Sequence, residues 1–167
     1  VAAITAAGLV AANENGGGQI VAAGSLDGLE KLAANPPEGA RVRALAVAGA
    51  FHTSYMQPAV EPLRTLASTI STSAPAVGVL SNKDGAVVTD GAEVLDRIVN
   101  QIANPVRWDL CMETLVSLGV TGVIEVAPAG TLVGLIKRAA PSIEQFAFKS
   151  PADIDAARAF VATHGGK

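Results

Sequence analysis

The feature that most constrains the fold of this chain is the alternation of helical and strand-like segments along its second part. Apolar residues recur there at the three- and four-residue spacing of amphipathic helices, and short apolar runs separate them. Such alternation is typical of a mostly parallel sheet covered by helices. The spacing predicts helices near 58–70, 90–102, 104–118, 131–139 and 150–163, and strands at 76–80, 120–126 and 145–148.

The first part of the chain has a different order of elements. A helix end is followed by two strands around a glycine-rich connection, a second helix and an apolar run that reads as a third strand. This α-β-β-α-β order is most of a ferredoxin-like βαββαβ unit whose first strand is missing. The segments are 1–7, 9–12, 19–23, 25–34 and 42–47.

The composition agrees with an α/β protein. The chain has 167 residues, of which 50% are hydrophobic and only 4% aromatic. A chain of this length can bury a core and fits one domain, or one domain with a small lobe. Its aliphatic residues favour packed α/β layers over an aromatic-rich β-sandwich.

Charge and cysteine content exclude several classes of function. The net charge is −3 without a block of like charges, which argues against a nucleic-acid partner. No apolar run approaches the ~18 residues of a membrane span, so we expect no membrane partner. A single cysteine and two histidines, without an acidic cluster, predict neither a disulfide framework nor a metal site. A reducing, cytoplasmic location is the simplest expectation.

The start of the chain has no Met and no signal peptide, and it reads as the middle of a helix. We therefore expect the chain to be the carboxyl-terminal part of a longer protein. A processed or cloned fragment is the alternative.

A histidine follows the predicted strand at 42–47. The strand ends at Gly49, and His52 comes directly after the small residues of the turn. A histidine at the carboxyl edge of a sheet is well placed to serve as a general base. A partly buried structural histidine is the alternative, and the residues alone leave both open.

No nucleophile accompanies this histidine. The Gly-x-Ser-x-Gly elbow of hydrolases is absent, and the serine at 24–28 has the wrong spacing. Cys111 lies on the apolar stripe of a helix, which indicates a core position. The glycine-rich segment at 13–18 precedes a strand, so it is not a phosphate-binding loop. Lys137 and Arg138 either complement a helix dipole or form a docking surface for an acidic partner.

Five segments, in order, resemble those of one enzyme family. In chain order they resemble its Asn-x-Asn-x-x-Gly-Gln segment, its catalytic-histidine segment, and the strand and turn that follow. The last two resemble its Gln-x-x-Asn-Pro-Val-x-Trp and Glu-x-x-Pro-x-x-x-Leu segments. Together they make the chain similar to the carboxyl-terminal half of a malonyl-CoA:acyl carrier protein transacylase of the high-GC Gram-positive type. The matching segments are 12–21, 49–53, 80–82, 101–108 and 125–132.

The resemblance implies roles for two residues in catalysis. His52 would deprotonate a serine and later protonate the leaving thiolate. In this family a backbone carbonyl orients the imidazole, where a hydrolase uses an aspartate. Gln101 matches that carbonyl, so its side chain is expected to be replaceable.

Other residues would contact the substrate. Phe51, directly before the histidine, matches the type that selects malonyl groups over α-branched ones. Asn104 would cap the following helix and shape the pocket. Asn13 and Asn15 match the segment near the acyl site.

The departures from the family are as informative as the matches. The serine of its Gly-His-Ser-x-Gly elbow and the arginine that pairs with the malonyl carboxylate are absent from these residues. The resemblance implies a partial ferredoxin-like subdomain at 1–47 and, at 48–167, the carboxyl-terminal part of an α/β-hydrolase-like, parallel-sheet acyltransferase subdomain.

The expected activity is transfer of a malonyl group from malonyl-CoA to the phosphopantetheine thiol of acyl carrier protein, in fatty acid or polyketide synthesis. A serine outside this chain would act with His52 in a ping-pong mechanism. No cofactor is expected, because the CoA thioester is a substrate. The alternatives are a catalytically silent fragment that binds CoA or carrier protein, and an acyltransferase domain of a polyketide synthase.

Overall fold

The computed structural model describes residues 1–165 and confirms the α/β class. Helices and strands alternate through most of this range. The helices are α1 Ala2–Ala6, α2 Leu26–Ala34, α3 Gln57–Ala67, α4 Gly91–Gln101, α5 Trp108–Ser117, α6 Thr131–Ala139 and α7 Ile154–His164. The strands are β1 Val10–Glu14, β2 Ile20–Ala23, β3 Val79–Leu80, β4 Val87–Val88, β5 Val106–Arg107, β6 Gly122–Val126 and β7 Glu144–Phe148.

Strand β1 connects the two parts of the chain. It pairs antiparallel with β2 in a hairpin and parallel with β5 on its other side. Helices α1 and α2 cover the hairpin through a small core of Ile4, Leu9 and Leu32. Helix α2 begins as predicted, because the Ser25 side chain accepts a hydrogen bond from the Gly28 N–H.

Strands β6 and β7 form a parallel pair over five residues. Helix α6 packs against both strands, and so does α7. The core beneath α6 contains Met112, Ile136, Ala140 and Ile143. Parallel strands with helical cover agree with the predicted architecture for this part.

Helices α3 and α4 pack side by side. Val60, Ala67 and Val99 form their shared core. Arg64 donates hydrogen bonds to Asp96 and Asn100 on α4. Helix α4 begins where the sequence predicts it, because the Asp90 side chain accepts a hydrogen bond from the Glu93 N–H at 2.7 Å.

The strand predicted at 42–47 is wrong. This segment has no regular secondary structure, and its apolar side chains are exposed, with Val47 at 71%. A strand needs a hydrogen-bonded neighbour, and none of the described residues pairs with it. The proposed boundary between residues 47 and 48 lies inside this irregular segment and stays a prediction.

The predicted start of the next helix, at Asn104 and Pro105, is also wrong. Residues 106–107 form β5 alongside β1, and α5 begins only at Trp108. Pairing with a strand about ninety residues earlier in the chain outweighs the local capping signal.

The last helix ends one residue later than the sequence pattern indicates. The segment 164–167 reads as a frayed tail, yet His164 is the last residue of α7 and its side chain is only 11% exposed. Residues 166 and 167 lie outside the described residues. No helix within 1–165 is both long and apolar enough to cross a membrane.

Candidate functional site

A cavity of about 340 Å³ opens beside His52 at the carboxyl end of α4. One wall is the turn that carries Phe51 and His52. The opposite wall is formed by strand β3 and the turn after it. The other lining residues are Val79, Leu80, Ser81, Asn82, Val88, Val94, Arg97, Ile98, Gln101 and Ile102.

His52 is held by the main chain at both its backbone and its ring. Its N–H donates to the Ile102 carbonyl at 2.8 Å, and its Nδ1 lies 2.8 Å from the Gln101 carbonyl. A carbonyl only accepts, so Nδ1 carries the proton in this contact. Nε2 of the neutral ring is then left to take a proton, which is the arrangement a general base needs.

The backbone of His52 has an uncommon conformation. Its φ of 62° makes it the one non-glycine residue with positive φ among the described residues. Such a conformation costs a side-chain-bearing residue on the order of 1–3 kcal/mol and persists where surrounding contacts enforce it. Here the two carbonyls of residues 101 and 102 enforce it.

These carbonyls belong to the carboxyl end of α4, where the helix dipole is negative. A cation at such an end is stabilised by about 0.3–1 kcal/mol, and by up to about 2 kcal/mol where it is partly buried. The ring of His52 thus lies at the negative end of α4.

The Gln101 side chain holds the turn between α4 and β5. Its Nε2 donates to the Asn104 carbonyl at 2.8 Å and to the Pro105 carbonyl at 2.9 Å, and the residue is 8% exposed. The Asn104 side chain donates back to the Asn100 carbonyl at 2.7 Å. Asn104 thus closes α4 and does not cap the next helix, which corrects the sequence expectation.

An ion-pair network braces the opposite wall. Arg97 lies in the lining and contacts Asp84 at 2.8 Å and Glu93 at 2.8 Å. Partial desolvation would raise the pKa of Asp84, but the Ala86 N–H and the Arg97 guanidinium outweigh it and lower that pKa. The Arg107 N–H also donates to the Asn82 carbonyl, which joins this wall to β5.

The other predicted substrate residues are spread around the site. Phe51 lines the cavity and is 46% exposed. Asn13 is on β1, opposite Val106 of β5, and Asn15 begins the hairpin turn. Neither of these two, nor Asn104, is part of the lining.

Cys111 occupies a core position, as predicted. It is 1% exposed, and its thiol donates to the Ser81 carbonyl at 3.4 Å. Desolvation raises the pKa of this thiol, with smaller contributions from the charges of Asp109 and Asp84. A thiol that stays protonated is a poor nucleophile.

Two residues of the site were missed in the sequence. Thr53 is 1% exposed, and its hydroxyl donates to the Ala50 carbonyl at 2.7 Å, which shapes the histidine turn. Its place as a threonine before a helical turn could have revealed it. Arg97 could have been found from its i, i+4 spacing to Glu93.

Comparison with known proteins gives relatives of one kind. The chain is 53% identical over 147 residues to the malonyl CoA-acyl carrier protein transacylase of Mycobacterium tuberculosis, covering 88% of the chain and 49% of that protein. It is 46% identical over 159 residues to the protein of the same name from Mycolicibacterium smegmatis, covering 93% of the chain and 55% of the relative. The chain thus spans about half the length of these relatives. No family model matches.

Solved structures agree with the sequence relatives. The crystal structure of MCAT from Mycobacterium tuberculosis superposes with a TM-score of 0.89 at 50% identity, covering 93% of the chain and 51% of that structure. A malonyl-transacylase in complex with AntF, a type II polyketide synthase acyl-carrier protein, gives a TM-score of 0.85 at 28% identity, covering 93% and 51%.

Proposed function

This chain is homologous to about half of a malonyl CoA-acyl carrier protein transacylase, and on that basis we propose that it carries the general base of such an acyltransferase. The reaction transfers a malonyl group from malonyl-CoA to the phosphopantetheine thiol of acyl carrier protein. The nucleophilic serine lies outside the 167 residues, as do the oxyanion donors and the arginine that pairs with the malonyl carboxylate.

One observation carries this proposal: the His52 ring is fixed through Nδ1 to a main-chain carbonyl beside a cavity, which leaves Nε2 free. A histidine in this geometry can move a proton to and from a reacting atom. A structural histidine would use both ring nitrogens within the fold. The 2.8 Å contact does the work of the aspartate in a Ser-His-Asp triad, which is to orient the ring and favour the Nδ1–H tautomer.

The reaction proceeds in two halves through a covalent intermediate. In the first, Nε2 of His52 takes the serine proton, the serine oxygen bonds to the malonyl carbonyl carbon, and the carbon–sulfur bond to CoA breaks. The CoA thiolate then takes the proton from the imidazolium. In the second half, the pantetheine thiol gives its proton to Nε2, its sulfur bonds to the same carbon, and the serine oxygen leaves with that proton.

The proposal requires no metal or redox cofactor. One thioester is exchanged for another, so the overall free-energy change is small. The imidazolium in the middle of each half-reaction lies at the negative end of α4.

Phe51 is proposed to select the acyl group. Its ring lies in the wall of the cavity next to His52. An α-methyl branch on the substrate would meet this ring, and a contact of this kind discriminates by about 1–3 kcal/mol. Asn13, Asn15 and Asn104 are proposed to border the acyl site without entering the lining described above.

Carrier protein is the proposed macromolecular partner. It is acidic in this family, and Lys137 and Arg138 lie in the last turn of α6, where they also complement the helix dipole. Basic residues near the cleft would speed its approach. A cytoplasmic location completes the proposal.

Intact-mass measurement tests the function. The complete enzyme, with malonyl-CoA and phosphopantetheinylated carrier protein, should show a malonyl adduct on itself and then on the carrier. The 167-residue chain alone should show no adduct. An adduct on the chain alone would contradict the placement of the nucleophile, and absence of transfer by the complete enzyme would contradict the function.

A further inference from the structure

The carbonyl that orients His52 is at a position where a helix normally uses its own hydrogen bonds. In a continuing helix the carbonyl of residue 101 would accept from the N–H of residue 105. Residue 105 is proline, which has no N–H. The helix therefore cannot satisfy this carbonyl with its usual donor, and within the turn the carbonyl accepts a long hydrogen bond of 3.3 Å from the Asn104 N–H.

The turn after α4 is held open by the Gln101 side chain. Its amide reaches forward to the carbonyls of residues 104 and 105 at 2.8 and 2.9 Å. Gln101 is more than nine-tenths buried, and its Oε1 has no hydrogen-bond partner. A buried acceptor without a partner is costly, so the two hydrogen bonds of Nε2 are what keep this side chain in place.

The same residue thus acts through two groups in opposite directions. Its main-chain carbonyl faces His52 at 2.8 Å, and its side-chain amide fixes the following two residues. Moving residues 104 and 105 would move the end of α4 and the direction of that carbonyl. The side chain is not exchangeable in the way the main-chain contact alone implies.

We infer that Gln101 and Pro105 are positioning residues that reserve the residue 101 carbonyl for His52 and thereby fix the Nδ1–H tautomer of its ring. Pro105 removes the competing donor, and the Gln101 amide keeps the carbonyl aimed. The value of this tautomer for catalysis rests on the proposed function, whereas the tautomer itself follows from the geometry of the turn alone.

Long-range ¹H–¹⁵N NMR of the imidazole measures the tautomer directly, at a pH where His52 is neutral. In the wild-type protein we expect Nδ1 to carry the proton. Gln101→Met keeps the size and the main-chain carbonyl but removes the amide. Pro105→Ala restores an N–H that competes for the carbonyl. Both variants should move the ring toward the Nε2–H form, which free imidazoles prefer.

A matched control is available at the end of another helix. Asn35 donates through Nδ2 to the Lys31 carbonyl of α2, which is the same kind of amide-to-carbonyl contact. Asn35→Ala should leave the His52 tautomer unchanged. Circular dichroism shows which variants are folded, and the two test variants act by different routes, so either one that folds decides the question.

The outcomes separate this inference from the proposed function. Nδ1–H in the wild type with a shift in the folded variants supports the inference, even if the complete enzyme transfers no malonyl group. An unchanged tautomer in a folded test variant, or Nε2–H in the wild type, overturns it, even if malonyl transfer is normal. In an active enzyme, Pro105→Ala should lower kcat at least tenfold with KM unchanged, because Pro105 is not part of the cavity lining.

Discussion

The chain has two histidines, and the fold holds them in opposite ways. His52 is tied to two main-chain carbonyls at the end of α4. His164 is tied to side chains: Nδ1 lies 3.1 Å from the Thr121 hydroxyl, Nε2 lies 3.3 Å from a Glu144 carboxylate oxygen, and the ring lies on Phe160. The ring of one histidine is oriented by the main chain, and the ring of the other lies among side chains.

The difference shows how the proposed general base is held, compared with a histidine at the end of a packed helix. A carbonyl orients the His52 ring without adding a full charge beside it. His164, in contrast, joins the end of α7 to Thr121, just before β6, and to Glu144 of β7. Close packing supports this reading, since a Cβ at Gly122 would lie 2.5 Å from His164 Cγ.

The largest expected difference between the two histidines is in catalysis. In the complete enzyme, His52→Ala should slow serine malonylation by about 10²–10⁴-fold, the usual contribution of a general base. His164→Ala should keep most of the rate. CoA release measured at saturating malonyl-CoA checks both, and a wild-type rate for His52→Ala would show that another group is the base.

For stability we expect the reverse order, with His164→Ala lowering the free energy of unfolding more than His52→Ala does. His164→Ala removes a nearly buried ring that stacks on Phe160 with 4.3 Å between centroids. The free energy of unfolding should fall by about 2 kcal/mol, the size expected for losing a packed aromatic contact and its hydrogen bond. Urea denaturation measures this. A loss below that of His52→Ala would contradict the assigned roles.

The backbone of His52 offers a sharper comparison within one position. Its φ of 62° suits glycine and disfavours any other residue. His52→Gly should therefore be more stable than His52→Ala by about 1 kcal/mol. Equal midpoints in urea would mean that the turn relaxes when the ring is removed.

Glu125 is the counterpart of His52 at the opposite kind of helix end. Its carboxylate accepts from the N–H groups of Gly130, Leu132 and Val133 at the start of α6. Partial desolvation would raise its pKa, but these backbone hydrogen bonds together outweigh it and lower the pKa of the carboxyl.

The lowered pKa of Glu125 gives the smallest of the four effects. The carboxylate stabilises the folded state fully above the pKa of an unfolded glutamate, about 4.3. This stabilisation is lost as the pH falls through the lower pKa of the folded state. Glu125→Gln should cost about 0.5 kcal/mol at pH 7, because the carboxylate faces the positive helix end. The difference from wild type should shrink as the pH falls below the unfolded value and through the lower folded value. A constant difference would contradict a charge effect.

Local signals in the sequence predicted the local parts of the fold. Helix α6 has the predicted bounds, and Ser25 and Asp90 cap their helices, because each depends on residues a turn apart. The prediction of a strand at 42–47 was wrong because a strand depends on a distant partner. Its pattern is right for a strand, but a strand also needs a partner, and the described residues provide none.

The sequence predicted that His52 and the Gln101 carbonyl lie together in the candidate site, but not how that carbonyl is held. His52 was recognisable from its turn, and Gln101 from the family resemblance. The role of the Gln101 side chain was not, because it depends on the path of residues 104 and 105 after α4. The pairing of β5 with β1, which sets that path, joins residues more than ninety positions apart and leaves no local trace.

The main-chain partner of His52 also has a genetic consequence. Every codon specifies a residue with a carbonyl, so no missense change at position 101 can delete the group that the imidazole contacts. Such a change can only misplace it. A triad built on aspartate, in contrast, loses its acceptor through a single nucleotide change. This site therefore presents a smaller mutational target for complete inactivation, with the graded losses concentrated in the turn that follows α4.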